Sequence, residues 1–364
     1  MKVLQLAPAW EPIPPPAYGG TEAVVADLVQ ALAHHSDLEI ILAASADSTL
    51  EHPRLRKTHA DVPSLRRQRL EDKKPHEWLH ISHALRVAQE EGVDLIHNHA
   101  GELPMAFAPQ GIPMLTTAHC LATPDTAAIW RRQSGWWNTI SNAQYDVMSK
   151  DVGGLYAGTV YNAIDVGSFP FGDVAKKQGY LLFIGRMSPE KGPHIACKVA
   201  QDLSLPLLLA GKIDPDKPSD EEYFRKFVQP LVDGDRICYV GEAGAQRKRE
   251  LYRHAIGTLM PIKWEEPFGL VMAESLACGT PVIACARGAA PEIVQHGITG
   301  YLISERDEQT IIDAMAEAVG DLERIDPADC RRAMEERFDV PVMANAYAAL
   351  YERILARKLV SIPQ

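Results

Sequence analysis

The chain has 364 residues, of which 46% are apolar and 23% charged, and carries a net charge of -11 at neutral pH. That length buries core enough for two domains rather than one, and the acidic balance argues against a protein built to bind nucleic acid. No apolar run approaches the roughly 20 residues that span a bilayer. The opening Met1-Lys2-Val3-Leu4-Gln5-Leu6-Ala7 is too short and too interrupted for a secretion signal. Six cysteines (Cys120, Cys197, Cys238, Cys278, Cys285, Cys330) show no framework or C-x-x-C spacing, so buried free thiols and a reducing, cytoplasmic home are expected.

In chain order, short apolar runs predict strands at Val3–Ala7, Ile40–Ala44, Leu95–His97, Met114–Ala118, Trp137–Ile140 and Gly158–Tyr161. Helical spacing of apolar residues predicts helices over Thr21–Ala33 and Glu77–Glu91. Between the first strand and the first helix lies Pro14-Pro15-Pro16-Ala17-Tyr18-Gly19-Gly20-Thr21-Glu22. Gly19 and Gly20 there would let backbone come close to a phosphate or a sugar; a flexible loop with a cap at Thr21 is the plainer alternative. The stretch Arg54–Lys74 holds eight basic residues against three acidic ones, either a solvated face or a contact for an anionic acceptor or acidic membrane surface. His97-Asn98-His99 has the spacing of a metal pair but lacks a third ligand, so it is expected to line a cleft. His119 follows the strand Met114–Ala118, and the carboxyl end of a central strand is where open α/β sheets bind ligands.

The pattern then restarts. Strands are predicted at Tyr180–Ile184, Leu205–Ala210, Ile237–Val240, Gly257–Pro261 and Val282–Ala284, with helices at Lys191–Leu203, Ser219–Gln229, Ala245–Ala255, Phe268–Ala277 and Val340–Leu355. Alternation of strand and helix implies parallel sheets covered on both faces. The linker is placed near 165–177. Gly185-Arg186-Met187-Ser188-Pro189-Glu190-Lys191-Gly192 follows a strand and opens a helix, and its two cations suit a diphosphate, Arg as a fork and Lys as a point charge. Asp214-Pro215-Asp216 is formally a D-x-D, placed on a surface loop with no catalytic role. Glu266 and Glu274 stand eight positions apart across the start of a helix, about 12 Å if helical throughout. First-turn amides at Gly269, Leu270 and Val271 would hold a diphosphate. Two exposed glutamates on an ordinary amphipathic helix are the alternative.

The run Glu266-Pro267-Phe268-Gly269-Leu270 through Glu274, followed by Gly279-Thr280-Pro281-Val282-Ile283, resembles the E-x7-E motif of the retaining glycosyltransferases of family 4. The G-R-x-x-x-x-K-G at Gly185–Gly192 is similar to the family's. So is Val160-Tyr161-Asn162-Ala163-Ile164-Asp165, where Ala163 replaces a glycine. The resemblance implies a GT-B fold, two Rossmann-like domains with parallel sheets facing each other across a cleft. The first domain would be 1–165, completed by a C-terminal helix 341–364, and the second 166–340. It implies catalytic roles for His119, Arg186, Lys191 and Glu266, and donor contacts from Gly19, Gly20, Val240, Gly241, Gly269, Leu270, Val271 and Glu274. His119 would meet the donor sugar, although Cys120 departs from the residues usual beside it.

The expected activity is transfer of a hexose from a nucleotide-diphosphate sugar, UDP-glucose first and GDP-mannose second, to an unidentified acceptor. No metal or cofactor is expected, and no nucleic-acid partner. The expected location is cytoplasmic, with peripheral contact to the inner membrane face through Arg54–Lys74 as an option. A nucleotide-sugar epimerase of the same fold, or a non-catalytic nucleotide-sugar binding module, are the alternatives. A nicotinamide dehydrogenase is disfavoured by the missing G-x-G-x-x-G.

Overall fold

A computed structural model describes residues 1–16, 19–35, 37–172 and 177–360. Ala17 and Tyr18 of the glycine-rich loop, 173–176 of the expected linker and 361–364 of the last helix lie outside the described residues. Two compact units form, Met1–Ala163 with Val340–Gln364, and Ile164–Asp339.

In the first unit, seven parallel strands are β1 (Lys2–Leu6), β2 (Glu39–Ala43), β3 (Leu55–Thr58), β4 (Leu95–Asn98), β5 (Met114–Ala118), β6 (Trp136–Thr139) and β7 (Leu155–Thr159), in the order β3-β2-β1-β4-β5-β6-β7. Strands buried on both faces favour apolar runs, as in Ile40–Ala43 of β2, and at the centre of the sheet Leu4 pairs with Ile41 on one side and Ile96 on the other, all fully buried. The helix Lys74–Glu90 turns Ile81, Ala84, Leu85 and Ala88 onto this sheet, the i, i+3, i+4, i+7 stripe of an amphipathic helix. The helix Val340–Val360 packs against the helix Gly20–His34.

The second unit carries β8 (Leu181–Ile184), β9 (Leu207–Ala210), β10 (Ile237–Tyr239), β11 (Gly257–Met260), β12 (Val282–Cys285) and β13 (Gly300–Ile303), again parallel, ordered β10-β9-β8-β11-β12-β13. Both units are therefore Rossmann-like α/β sheets.

Several elements differ from expectation. β3 is a short edge strand of sequence Leu-Arg-Lys-Thr, without the apolar run that marks a central strand. β13 opens on Gly300 and has two half-buried residues, which blurs its period. The helices Ala127–Arg132, Asn142–Met148, Glu308–Gly320 and Pro327–Arg337 were not anticipated. The expected helix Ser219–Gln229 breaks into Pro218–Tyr223, a π turn Phe224–Val228 and a 3-10 turn Gln229–Leu231, with Pro230 closing the series because it has no amide to donate. Of the cysteines, Cys197, Cys278, Cys285 and Cys330 are buried free thiols, Cys238 is half-buried, and Cys120 is exposed, against the expectation that all six lie inside.

The helix Leu270–Ala277 is pinned from beneath. Ser275 shares a 2.7 Å hydrogen bond with Thr258 of β11, and its Oγ donates to the carbonyl of Thr280 at 2.9 Å; both side chains are fully buried. Ser275→Ala leaves those groups unpaired and should cost about 1–3 kcal/mol. The check is a urea titration, expected to show a lower midpoint with an unchanged slope. An unchanged midpoint would mean that the pin carries no stability.

Candidate active site

Glu266 is held by its backbone before its side chain does anything. Its carbonyl accepts from the amide of Ala289 at 2.8 Å, and the neighbouring Gly288, at φ 54, sits where a Cβ would come within 2.3 Å of the Glu266 amide nitrogen. Downstream, the helix begins only at Leu270, and Gly269 is its N-cap in the left-handed region at φ 90. The 12 Å helical reach therefore does not apply, because residues 266–269 are not helical, and Gly269 caps the helix instead of sitting in its first turn. Its φ, together with a Cβ that would meet Met272 Cε at 2.4 Å, restricts the position to glycine. The first intrahelical bond runs from the Met272 amide to the Gly269 carbonyl at 2.9 Å, so the Leu270 and Val271 amides stand ahead of the ladder, as helix N-termini require.

Lys191 and Trp264 meet Glu266 beside this end. Lys191 donates to Glu266 Oε2 at 2.5 Å, and its ammonium lies 4.8 Å from the Trp264 ring centroid. Trp264 Nε1–H donates to the same oxygen at 3.1 Å. Arg186 donates to Glu190 at 3.0 Å and lies 3.7 Å from buried Asp220. Glu274 accepts from Lys248 through one oxygen and from Tyr252 at 2.9 Å through the other. Burial first, and then the adjacent Glu274, push the Tyr252 phenol well above its usual range, so it remains a donor. Both carboxylates keep spare lone pairs, since each oxygen can accept twice. Val240 is exposed and Gly241, at φ 74, receives the Gly211 amide on its carbonyl at 2.9 Å.

Trp264, Lys248, Tyr252 and Asp220 escape sequence reasoning. A signal exists for two of them: Lys248 and Tyr252 are four apart in the helix Ala245–His254 and so share a face. Asp214, expected on the surface, is buried and lies 3.7 Å from Lys212, whereas Asp216 is exposed.

The first unit gathers a different set. At the helix Gly20–His34, Gly19 is the N-cap, and Glu22 of the first turn is buried with Oε2 3.2 Å from where a Gly19 Cβ would be. His97 and His99 are buried side chains in the polar core, not cleft-lining ones: the last helix supplies a partner to His97, and β1 supplies one to His99. His97 contacts Tyr351 and Thr117 at 2.7 Å each; His99 contacts Gln5 and His119 at 2.9 Å each. Burial holds His97 and His99 well below the ordinary imidazole pKa and brings His119 down to about 4. Among the described residues no group of three or more side chains could hold a metal ion, and no described helix is long and apolar enough to cross a membrane. Three cations of the basic stretch form ion pairs: Arg56 with Glu91 at 2.7 Å, Lys57 with Glu51 at 4.0 Å and Arg66 with Glu11 at 3.4 Å.

Residues 18–148 match the family described as Glycosyltransferase Family 4, and residues 169–336 match Glycosyl transferases group 1. The chain belongs to the family 4 glycosyltransferases. This family 4 chain is 26% identical over 299 residues to a D-inositol 3-phosphate glycosyltransferase of Mycolicibacterium smegmatis, covering 72% of this chain and 68% of that protein. It is 28% identical over 255 residues to one of Acidothermus cellulolyticus, covering 59% and 57%. Among solved structures, a sucrose-phosphate synthase from Thermosynechococcus elongatus superposes with TM-score 0.81 at 21% identity, over 98% of this chain and all of the other. AviGT4, a glycosyltransferase involved in avilamycin A biosynthesis, gives 0.74 at 24% over 98% of each. Anabaena HepE in complex with UDP-glucose gives 0.70 at 19% over the full length of both. The fold is thus the GT-B fold.

The histidine set makes stability depend on pH. His119 titrates near 4 when folded and near the ordinary 6.5 when unfolded, so between those values the unfolded chain binds more protons and stability rises with pH. The contribution is complete above about pH 6.5 and is lost as pH falls toward 4. His119→Asn should flatten that fall by about 1.4 kcal/mol per pH unit, measured as urea midpoints from pH 7 to pH 4.5. Parallel curves for the two proteins would refute the assignment.

Proposed function

We propose that the chain transfers a hexose from a nucleotide-diphosphate sugar to a hydroxyl acceptor, with retention of anomeric configuration and without a metal ion. The observation that carries this reading is the Lys191–Glu266 pair placed at the capped N-terminus of the helix Leu270–Ala277. The Lys191 ammonium and the Leu270 and Val271 amides there, joined by the guanidinium of Arg186 from the loop that also carries Lys191, would offer the positive charge that a leaving diphosphate needs. Lys191 has three N–H donors, so it can hold a phosphate oxygen without releasing Glu266. Glu266 is then assigned to the sugar and Glu274, steadied by Lys248 and Tyr252, to the ribose hydroxyls, with Val240 and Gly241 beside the base. In the first unit, the family resemblance assigns Gly19 and Gly20 to the donor and His119 to the donor sugar, where its carbonyl or ring would help to stabilise positive charge at the anomeric carbon.

In the step itself the bond from the anomeric carbon to the phosphate oxygen breaks, and the acceptor oxygen bonds to the same face. The acceptor proton passes to the departing phosphate oxygen, so no separate base is required. UDP-glucose is the first donor to try, supported by the HepE complex, and GDP-mannose the second. The named relatives act on an inositol phosphate, which favours a polyol acceptor. Ion pairs engage Arg56, Lys57 and Arg66 of the eight cations between Arg54 and Lys74, which weakens the case for a membrane contact there, so a soluble acceptor is tried first.

The deciding experiment incubates the protein with UDP-glucose or GDP-mannose and a panel of polyols and polyol phosphates in excess EDTA, and follows products by mass spectrometry and the anomeric proton by NMR. An α-linked product is expected. A chelator-dependent reaction, an inverted anomer, or an isomerised donor formed without any acceptor would each overturn the reading.

Arg186→Ala and Lys191→Ala should each slow transfer on the order of 10²-fold or more with the fold intact. Glu274→Ala should weaken nucleoside diphosphate binding in calorimetry, whereas Glu266→Ala should spare it and impair turnover. Equal losses of nucleotide affinity in both Glu variants would contradict the assigned orientation.

A further inference from the structure

The buried polar cluster of the first unit has only one consistent arrangement of protons, and it ends on His119. At its inner end stands the backbone carbonyl of Thr139, which can only accept. Asn138 Nδ2 donates to the carbonyl of Thr139 at 3.3 Å and to the Tyr347 hydroxyl at 3.1 Å, which fixes the amide and turns Oδ1 toward Thr117. Thr117 Oγ1 lies 2.8 Å from that oxygen and must donate to it, since an amide oxygen has no proton. The Thr117 proton is then spent, so His97 Nε2, 2.7 Å away, carries the proton of their contact. A neutral imidazole has one N–H, so His97 Nδ1 is an acceptor and the Tyr351 hydroxyl at 2.7 Å donates to it. Tyr351 in turn accepts from Gln5 Nε2 at 3.0 Å, leaving Gln5 Oε1 to accept from His99 Nε2–H at 2.9 Å. His99 Nδ1 is therefore a lone pair, and His119 Nε2, 2.9 Å away, must donate to it.

We propose that this relay, anchored on Asn138 and passing through Tyr351 of the last helix, fixes His119 with its proton on Nε2 and its lone pair on Nδ1. The ring then meets its ligand as an acceptor for a hydroxyl group. Tyr351 and Gln5 are positioning residues: they touch no ligand and act through His99. Every intervening side chain is buried, so water is not at hand to scramble the order, and a proton misplaced at one end leaves two acceptors or two donors facing each other at the other. A neutral ring offering a lone pair attracts the O–H of a saccharide or polyol and repels a phosphate oxygen. The inference rests on the transferase reading only for naming that hydroxyl as a sugar's.

The test is two-bond ¹⁵N–¹H correlation NMR on the full chain labelled at histidine, with the His119 signal identified by its absence in His119→Asn. Wild type should show the proton on Nε2 of His97, His99 and His119. Tyr351→Phe and Gln5→Met, each cutting the relay at a different link, should turn His119 into a mixture of tautomers. With donor and acceptor present they should lower kcat about tenfold or more while leaving nucleoside diphosphate affinity unchanged. A wild-type His119 protonated on Nδ1 overturns the proposal even if neither variant folds. A single unchanged tautomer in both folded variants overturns it as well, since a merely structural role would move only stability. The expected tautomers without any sugar transfer would support the relay and count against the transferase reading.

Discussion

The second unit is organised around one ion pair that is costly to make. Lys191 and Glu266 are both largely buried, and withdrawing two charges from water costs several kcal/mol per ion unless further contacts offset it. Here the offset is visible. The Trp264 N–H satisfies the same Glu266 oxygen, the Trp264 ring faces the ammonium, and the backbone of Glu266 is locked by the Ala289 amide and the close approach of Gly288. Such a pair adds little to stability over apolar residues of equal size, but it sets where a cation and a carboxylate stand relative to the helix N-terminus. The Lys263 amide bonded to the Glu190 carbonyl at 2.8 Å ties the loop that carries Lys191 to the one that leads to Glu266, so the pair and its backbone support are one construction.

Glu274 repeats this arrangement with a different emphasis. Its two oxygens are engaged by Lys248 and by Tyr252, whose fully buried phenol stays protonated. A carboxylate held by two donors on one rigid helix has a fixed orientation, and its remaining lone pairs point where the protein has not used them. The pin through Ser275 sets the same helix against β11 and the turn into β12. Position along this helix is thus controlled at its cap, its middle and its end.

Much of this was legible in the chain, and the gaps have physical causes. β8, Leu-Leu-Phe-Ile, announces itself because both faces are buried and the apolar run is unbroken, and β1 and β5 show through despite Gln5 and the Thr116-Thr117 pair. β3 does not, since an edge strand of Leu-Arg-Lys-Thr owes its pairing to β2 rather than to its own hydrophobicity, and charged edges are how sheets avoid further pairing. The cations of the Gly185–Gly192 loop and the two glutamates were readable from their spacing. Their partners were not: Trp264, Asp220 and Lys248 contribute through contacts between segments, which one-dimensional periodicity does not encode. His97 and His99 are buried rather than cleft-lining because of partners remote in sequence: Tyr347 and Tyr351, some 250 positions on, pack against His97, and Gln5 holds His99, none of which is local to Leu95–His99.

That last dependence bears on how the protein is made. The strands of the first unit are translated well before the helix Val340–Val360, the whole second unit lying between them. Until that helix arrives, the side chains that await Tyr347 and Tyr351 must remain wet, and the sheet lacks the cover that the helix and its partner Gly20–His34 build together. A ribosome-bound chain would therefore carry an incomplete first unit until that helix emerges, while the uninterrupted segment Ile164–Asp339 can close as soon as it is out. The later-synthesised unit is the one equipped to mature first, and the first unit becomes whole only once the helix Val340–Val360 has been made.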